Sequence, residues 1–291
     1  MSKVYEMLTN HVLTAIQSGT APWRKTWKGK QRIIASYDGR RYKGINRVLL
    51  PFMAMGYADM IFLTYKKATA LGGSVKKGAK GFPVYLWNWV EKTDPATGQL
   101  STFPIFRYYT VFNIADCEGI ELPKWYTDLN VSEPNENERI ESCERIAQGF
   151  KGAPEIVHGG DSACYYPSLD KVNMPNLSDF EGSEEYYSTL FHEFAHSTGH
   201  VSRLNRKEVM GVDYFGSHNY SLEELTAELT STFLCSEAGI EQKVIDNQAA
   251  YLASWFKKLQ SDPKLFATAA GRAQKAADHI LGTSEKVEEE A

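Results

Sequence analysis

The chain has no CxxC pair; its four cysteines, at 117, 143, 164 and 235, are scattered. That spacing argues against a cysteine-built zinc site or a disulfide framework, and fits reduced, partly buried thiols in a cytoplasmic protein. No apolar run approaches the ~20 residues of a membrane helix. The opening Met1-Ser2-Lys3-Val4-Tyr5-Glu6 lacks the basic-then-apolar order of a secretion signal. No internal repeat is visible.

What is present suffices for two cores. At 291 residues the chain exceeds a usual single domain, and its 43% hydrophobic content supports real interiors. The net charge of −4 conceals an asymmetry: residues 1–125 hold 18 Lys+Arg against 8 Asp+Glu, and the remainder holds 14 against 28. Two domains with different partners follow, the basic one facing a polyanion.

A first helix reads from Lys3 to Ser18, with Val4, Leu8, Val12 and Ile16 on one face and Gly19 as its stop. A short helix starts at Thr64 and stops at Gly72-Gly73. Strand-like runs follow at Phe82–Val90 and Phe103–Phe112, joined by a turn at Asp94-Pro95 and Gly98. Residues 126–138 are polar and mark a linker. Beyond it, Ile140, Cys143, Ile146 and Phe150 share a helix face. Short strands are expected at Glu155–Val157, Ala163–Tyr166 and Lys171–Met174, then a helix capped by Ser183. A long helical region runs from Gln242 to Leu281, with Tyr251, Trp255, Leu259 and Phe266 as core residues. Residues 283–291 form an acidic, disordered tail. The expected fold class is α+β in two domains, 1–125 and 139–282.

The chemistry concentrates in His192-Glu193-Phe194-Ala195-His196. Histidines four apart on a helix project from one face and can bind one tetrahedral Zn2+. Glu193 beside them is placed to take a proton from a water on the metal, so the motif points to a zinc-dependent hydrolase, most simply a metalloprotease. Such a site needs a third protein ligand. The position six residues after His196 is Ser202, and His200 lies past the helix stop at Gly199, so His200 is read as a structural or outer donor. Glu224 and Glu228 share a face of the next helix. Glu224 is the expected ligand and Glu228 the carboxylate that orients a ligating histidine. Ser221-x-x-Glu224 is also a capping box, and if Glu224 is spent there, Glu228 becomes the ligand.

Asp170-Lys171-Val172-Asn173-Met174-Pro175, the stretch Tyr186 to His200 and Glu223-Glu224-Leu225-Thr226-Ala227-Glu228 resemble the zincin-type domain of the ArdC family of plasmid antirestriction proteins. By that resemblance Ala163–Tyr166 or Lys171–Met174 holds substrate backbone by strand addition, and His218 or Tyr220 steadies a developing oxyanion.

Residues 21–47 carry nine Lys/Arg against one acid, Asp38, with Trp23, Trp27, Tyr37 and Tyr42 interleaved. Cations track a phosphate backbone while rings stack on unpaired bases. Trp23, Arg24, Lys25, Trp27, Lys28, Arg40, Arg41, Tyr42, Lys43 and Asn46 are therefore candidate DNA contacts. The turn Lys76-Lys77-Gly78-Ala79-Lys80 adds Lys76, Lys77 and Lys80, beside a strand whose Tyr85, Trp87 and Trp89 share one face. Ala21-Pro22-Trp23-Arg24-Lys25-Thr26-Trp27, Tyr42-Lys43-Gly44-Ile45-Asn46 and Leu63-Thr64-Tyr65-Lys66-Lys67-Ala68 resemble the ArdC-type single-stranded-DNA-binding domain, which some plasmid primases also carry. The resemblance implies single-stranded DNA as partner and protection of incoming plasmid DNA during conjugation. The metalloprotease reading of the zinc motif adds a protein substrate bound on or near that DNA, such as a restriction-enzyme subunit. The alternative is a non-catalytic protein that coats the strand and keeps a structural or vestigial zinc site.

Overall fold

The computed structural model describes residues 3–17, 33–93, 100–129, 136–210, 218–240 and 249–283. The chain divides into two compact units, one of Met1–Leu8 with Trp27–Ser132, the other of Thr9–Thr26 with Glu133–Ala291. The first helix, α1 (Lys3–Gln17), is therefore shared. Tyr5 lies against Phe106 in the first unit. Thr9 donates to the Pro263 carbonyl at 2.7 Å in the second.

The first unit continues through β1 (Ala35–Ser36), α2 (Gly44–Met53), β2 (Ile61–Leu63), α3 (Tyr65–Ala70), β3 (Ser74–Val75), β4 (Phe82–Thr93), β5 (Leu100–Asn113), β6 (Cys117–Glu118) and α4 (Lys124–Thr127). Its main sheet has the order β1-β2-β5-β4, and β3 pairs with β6 in a separate ribbon. Strand alternation builds two cores from the β2 segment. Ile61 and Leu63 face a cluster with Ile33, Ala35 and Tyr126. Met60 and Phe62 face one with Leu50, Phe82, Val84 and Val111. Thr64 caps α3, accepting from the Lys67 N–H at 3.1 Å. The β4–β5 pair runs from Phe82↔Val111 to Thr93↔Leu100, longer at its turn end than apolar patterning alone indicates. Tyr126 is buried in the first core and Trp125 donates to the Tyr37 carbonyl, so this unit extends past residue 125 into the polar stretch read as a linker.

The second unit holds α5 (Glu136–Gly149), β7 (Glu155–His158), β8 (Cys164–Tyr166), β9 (Lys171–Met174), α6 (Ser183–Ser197), α7 (Lys207–Met210), α8 (His218–Ala238), α9 (Ala249–Ser261) and α10 (Leu265–Leu281). The sheet order is β7-β9-β8, with β9 parallel to β7 and antiparallel to β8. Ser183 is the first residue of α6, whose N-cap is Gly182, so it does not cap the helix as expected; Glu185 instead accepts from the Glu181 N–H at 2.9 Å. The long C-terminal helix is broken between α9 and α10 at Asp262-Pro263, where proline cannot continue the helical bonding.

Helix α8 packs between α6 and α10. Among leucines and alanines its buried residues include small polar ones, Thr226, Thr230 and Ser231, all fully buried. The threonines return their hydroxyls to carbonyls four residues back, at 2.7 Å each, so neither hydroxyl is left unmet. Ser231 reaches across to the Ser188 carbonyl of α6 at 2.8 Å. Small side chains let the two helices approach closely, which brings the carboxylates of α8 to the histidines of α6. Among the described residues no helix is long and apolar enough to cross a membrane.

Candidate metal centre

The α-helical spacing of His192 and His196 turns both rings to one side of α6, with their Nε2 atoms 3.1 Å apart. Glu224 of α8 closes the group: its carboxylate oxygens lie 3.7 Å from His192 Nε2 and 3.5 Å from His196 Nε2. Among the described residues this is the one cluster of three whose ligand atoms all lie within 4.8 Å of one another. A tetrahedral ion with bonds of about 2.0–2.1 Å sets its ligand atoms about 3.4 Å apart, so two imidazoles and a carboxylate at these spacings fit a small divalent cation. Tyr220 places its hydroxyl on Glu224. Ser221 sits inside α8, which begins at His218, so it is not the cap of that helix and Glu224 is not needed for a capping box.

Glu193 is buried beside the cluster. Burial pushes its carboxyl pKa up, His196 and a backbone amide oppose that, and the Glu224 charge adds to the rise. The amide belongs to Tyr165, whose N–H donates to Glu193 Oε2 at 2.7 Å. This settles which strand has a free edge. Both edges of β9 are taken, by β7 and β8, so of the two expected substrate strands β8 alone is open on one side. Tyr165 turns its N–H away from β9, Glu193 occupies it, and the next outward position, Pro167, has no N–H to offer. The Tyr165 hydroxyl donates to Asp170 at 2.8 Å, and Arg203 binds Asp170, the Tyr165 hydroxyl and the Ser197 carbonyl at the end of α6. The Arg203 guanidinium holds the Asp170 carboxyl below the usual carboxylate range against the opposing effect of burial. His200 bonds Ser202 at 2.8 Å and is outside the cluster.

Of the expected DNA contacts, Trp23, Arg24, Lys25, Trp27 and Lys28 lie outside the described residues, as do the side chains of Trp87 and Trp89. Arg40, Arg41 and Lys43 are exposed on the chain leading into α2. Lys76, Lys77 and Lys80 are also exposed, though Lys76 donates to the Ala115 carbonyl at 2.9 Å and Lys80 to that of Met53 at 3.1 Å. Two expected contacts are corrected. Asn46 is buried, its amide donating to the Tyr85 carbonyl and its carbonyl accepting from the Tyr85 N–H, both at 2.7 Å. It stands in for a neighbouring strand on the outer edge of β4, and its burial there keeps it from the surface a ligand would meet. Tyr42 packs edge-on against Phe62, and burial raises its hydroxyl pKa, so it is a core residue with a polar tip.

Residues 142–272 match the family model of a zincin-like metallopeptidase, and residues 2–112 match that of the N-terminal domain of anti-restriction factor ArdC. The metal-free crystal structure of the antirestriction ArdC protein from plasmid R388 superposes with a TM-score of 0.72 at 32% identity, covering 97% of this chain and 98% of that one. The chain belongs to the ArdC family. The Mn(II)-bound form of the R388 protein gives a TM-score of 0.73 at 31% identity, over 99% of this chain and 100% of its own. Uncharacterized protein y4eC of Sinorhizobium fredii is 34% identical over 94% of this chain and 90% of its own length. DNA primase TraC of Escherichia coli is 36% identical over 97% of this chain, which spans only 27% of that primase. A second Escherichia coli TraC is 34% identical, with 20% of its length spanned.

For an ArdC-family chain, the least legible part of the site is what stands behind His196. The outer carboxylate expected at Glu228 is Glu223 in the structure, its Oε1 3.2 Å from His196 Nδ1. The two nitrogens of an imidazole point in different directions, so ligand and outer partner cannot share one helix face. Glu223 lies about 100° around the helix from Glu224, whereas Glu228 lies a turn, about 6 Å, further along it. Glu223 is in turn gripped by Arg206, Nε to Oε2 at 2.8 Å and Nη2 to Oε1 at 2.6 Å, with both side chains only 7% exposed. Burial raises the Glu223 carboxyl, but hydrogen bonds from Arg206 and His196 outweigh it and bring it down to about 2. Burial lowers the His196 pKa, yet the carboxylates of Glu223, Glu224 and Glu193 together raise it to about 9. The sequence carried one hint, adjacent acids at Glu223-Glu224; nothing local marked Arg206.

Proposed function

We propose that this antirestriction protein is a zinc-dependent peptidase directed by single-stranded DNA, which cleaves a protein bound on or near plasmid DNA entering a cell by conjugation. The observation that carries the reading is the convergence of His192, His196 and Glu224, with the Glu193 carboxylate buried beside them. Two imidazoles and one carboxylate form the donor set of catalytic zinc sites, and the R388 relative in its Mn(II)-bound form supports a site open to other divalent ions. A divalent ion there supplies Lewis acidity, lowering the pKa of water and polarising a carbonyl.

The chain's own residues do the rest. Glu193 accepts the proton of the attacking water and delivers it to the leaving amine, a role suited by the upward shift that burial gives its pKa. The Tyr165 N–H fixes the direction of that carboxylate, and Tyr220 does the same for Glu224. Arg206 and Glu223 hold His196 in the tautomer that leaves Nε2 free for metal. Residues 1–125, with their excess of basic residues, hold the strand, and tethering raises the effective concentration of DNA-bound targets. Relatives named DNA primase that contain this stretch within a longer chain support a DNA-associated role.

The experiment is incubation of the purified protein with restriction-enzyme subunits, with and without single-stranded DNA. Cleavage that needs metal, Glu193 and DNA is expected; subunits left intact under every condition contradict the proposal. The alternative is a coating protein with a structural or vestigial site. Under that reading Glu193→Gln retains full biological activity.

A further inference from the structure

We infer that the outer part of one face of the β4–β5 ribbon, centred on Tyr109 and Arg107, is a stacking and phosphate-binding surface for single-stranded DNA. The inference rests on the DNA-binding reading of residues 1–125 and gives it a site distinct from the Trp23–Trp27 stretch.

Directly opposed residues of an antiparallel pair share a face, so the register puts Phe82 with Val111, Val84 with Tyr109 and Leu86 with Arg107 on one side of the ribbon. At its inner end this face is core: Phe82, Val84 and Val111 are buried against Leu50, Met60 and Phe62. Beyond Val84 the cover stops. Tyr109 is 36% exposed and Leu86 40%, and Arg107 is exposed as well. An exposed aliphatic side chain and a partly exposed ring on a face that also carries a cation is the composition of a base-stacking platform.

The Tyr109 ring is also held in place. Its hydroxyl is hydrogen-bonded to that of Tyr42, which packs on Phe62, and Arg40 is close enough to act on the Tyr42 hydroxyl. An exposed ring already fixed by its tip loses little side-chain freedom when a base settles on it. Arg107 lies two residues along the same face, about 7 Å away, a second cation on this side of the ribbon. Charge complementarity names the occupant: the region to residue 125 has 18 Lys+Arg against 8 Asp+Glu, which favours a polyanion over a peptide. Tyr108, 46% exposed, points to the opposite face, where it pairs with Tyr85. It is an internal control, equally aromatic and one residue away.

The test is binding of the full-length protein to labelled dT20, by fluorescence anisotropy over a salt series, with circular dichroism to verify folding. Tyr109→Ala is expected to weaken binding about 5- to 100-fold with little change in salt slope, because stacking releases no counterions. Tyr109→Phe keeps the ring and stays within about twofold. Arg107→Gln flattens the slope of log K against log salt by about 0.7, and carries the test by itself if Tyr109→Ala fails to fold. Tyr108→Ala binds as the parent does. Parent-like binding by both Tyr109→Ala and Arg107→Gln overturns the inference, as does a Tyr108→Ala loss equal to that of Tyr109→Ala. Equal affinity of the parent for a 20-base-pair duplex, or tighter binding of rU20 than dT20, also overturns it. A parent that binds no dT20 at all fails the DNA-binding reading itself, a separate result.

Discussion

Replacing Arg206 by Met separates what the Arg206–Glu223 pair does for the fold from what it does for the metal. Arg206 donates to both Glu223 oxygens, to Thr198 Oγ1 at 2.7 Å and to the Ala195 carbonyl at 2.8 Å, all in buried surroundings. Arg206→Met leaves the Glu223 carboxylate buried without its cation, a loss of about 3–5 kcal/mol, a large part of the stability of most domains. Glu223 then loses its fixed orientation toward His196 Nδ1, and disturbing such a partner lowers metal affinity about 10- to 100-fold. The double variant Arg206→Met, Glu223→Leu removes both charges together. Its stability should return most of the way to the parent's, because an apolar pair of similar volume replaces a buried ion pair at little cost. Metal affinity should remain low, because His196 Nδ1 still has no carboxylate. Urea unfolding of the metal-free protein gives the first quantity, and competition with a chromophoric chelator gives the second. Metal affinity that recovers along with stability in the double variant would refute the reasoning and leave the pair a purely structural one.

Three further outcomes are expected. His192→Ala, His196→Ala and Glu224→Ala should each lose the metal, while Glu193→Gln and Glu228→Ala keep it, as read by metal analysis of purified protein; loss in Glu228→Ala with retention in Glu224→Ala would reverse the ligand assignment. Because carboxylates raise His196 to about 9 in the metal-free protein, its proton must leave when metal binds. Apparent metal affinity should therefore rise with pH through the neutral range, level off above that value and release close to one proton per ion at pH 7, which calorimetry in buffers of different ionisation enthalpy measures. Gly199→Ala should destabilise by about 1–3 kcal/mol in thermal unfolding, since a Cβ there would lie 2.3 Å from Val209 Cγ2, too close without a backbone shift.

Legibility followed sequence distance. The two histidines needed only the 3.6-residue period of one helix, and Glu224 needed only the idea of a second helix carrying acids, so both could be proposed from spacing. The start of α3 near Thr64 and the strands of the second unit were equally local. Ser183 misled, and the Ser221 capping-box alternative does not hold, because a cap is defined by where a helix begins: α6 takes Gly182 as N-cap and α8 starts at His218. Asn46 looked like a DNA contact among basic neighbours, but its partner is the backbone of Tyr85, thirty-nine positions away. Glu223, Arg206 and the Tyr165 amide stayed hidden for the same reason: their roles exist only after α6, α8 and β8 have packed. The exposed face at Tyr109 was also illegible, since strand alternation cannot say where a helix stops covering a sheet.

The most direct test of the central claim is plasmid entry into a restricting host in the presence of the Glu193→Gln protein. This substitution removes the proton acceptor, keeps the proposed metal ligands and touches no residue of the first unit. If protection proceeds by proteolysis, plasmid survival with Glu193→Gln should fall to the level seen without the protein, while its metal content and dT20 affinity match the parent's. Full protection by Glu193→Gln would contradict the proteolytic account, however well the metal site is formed.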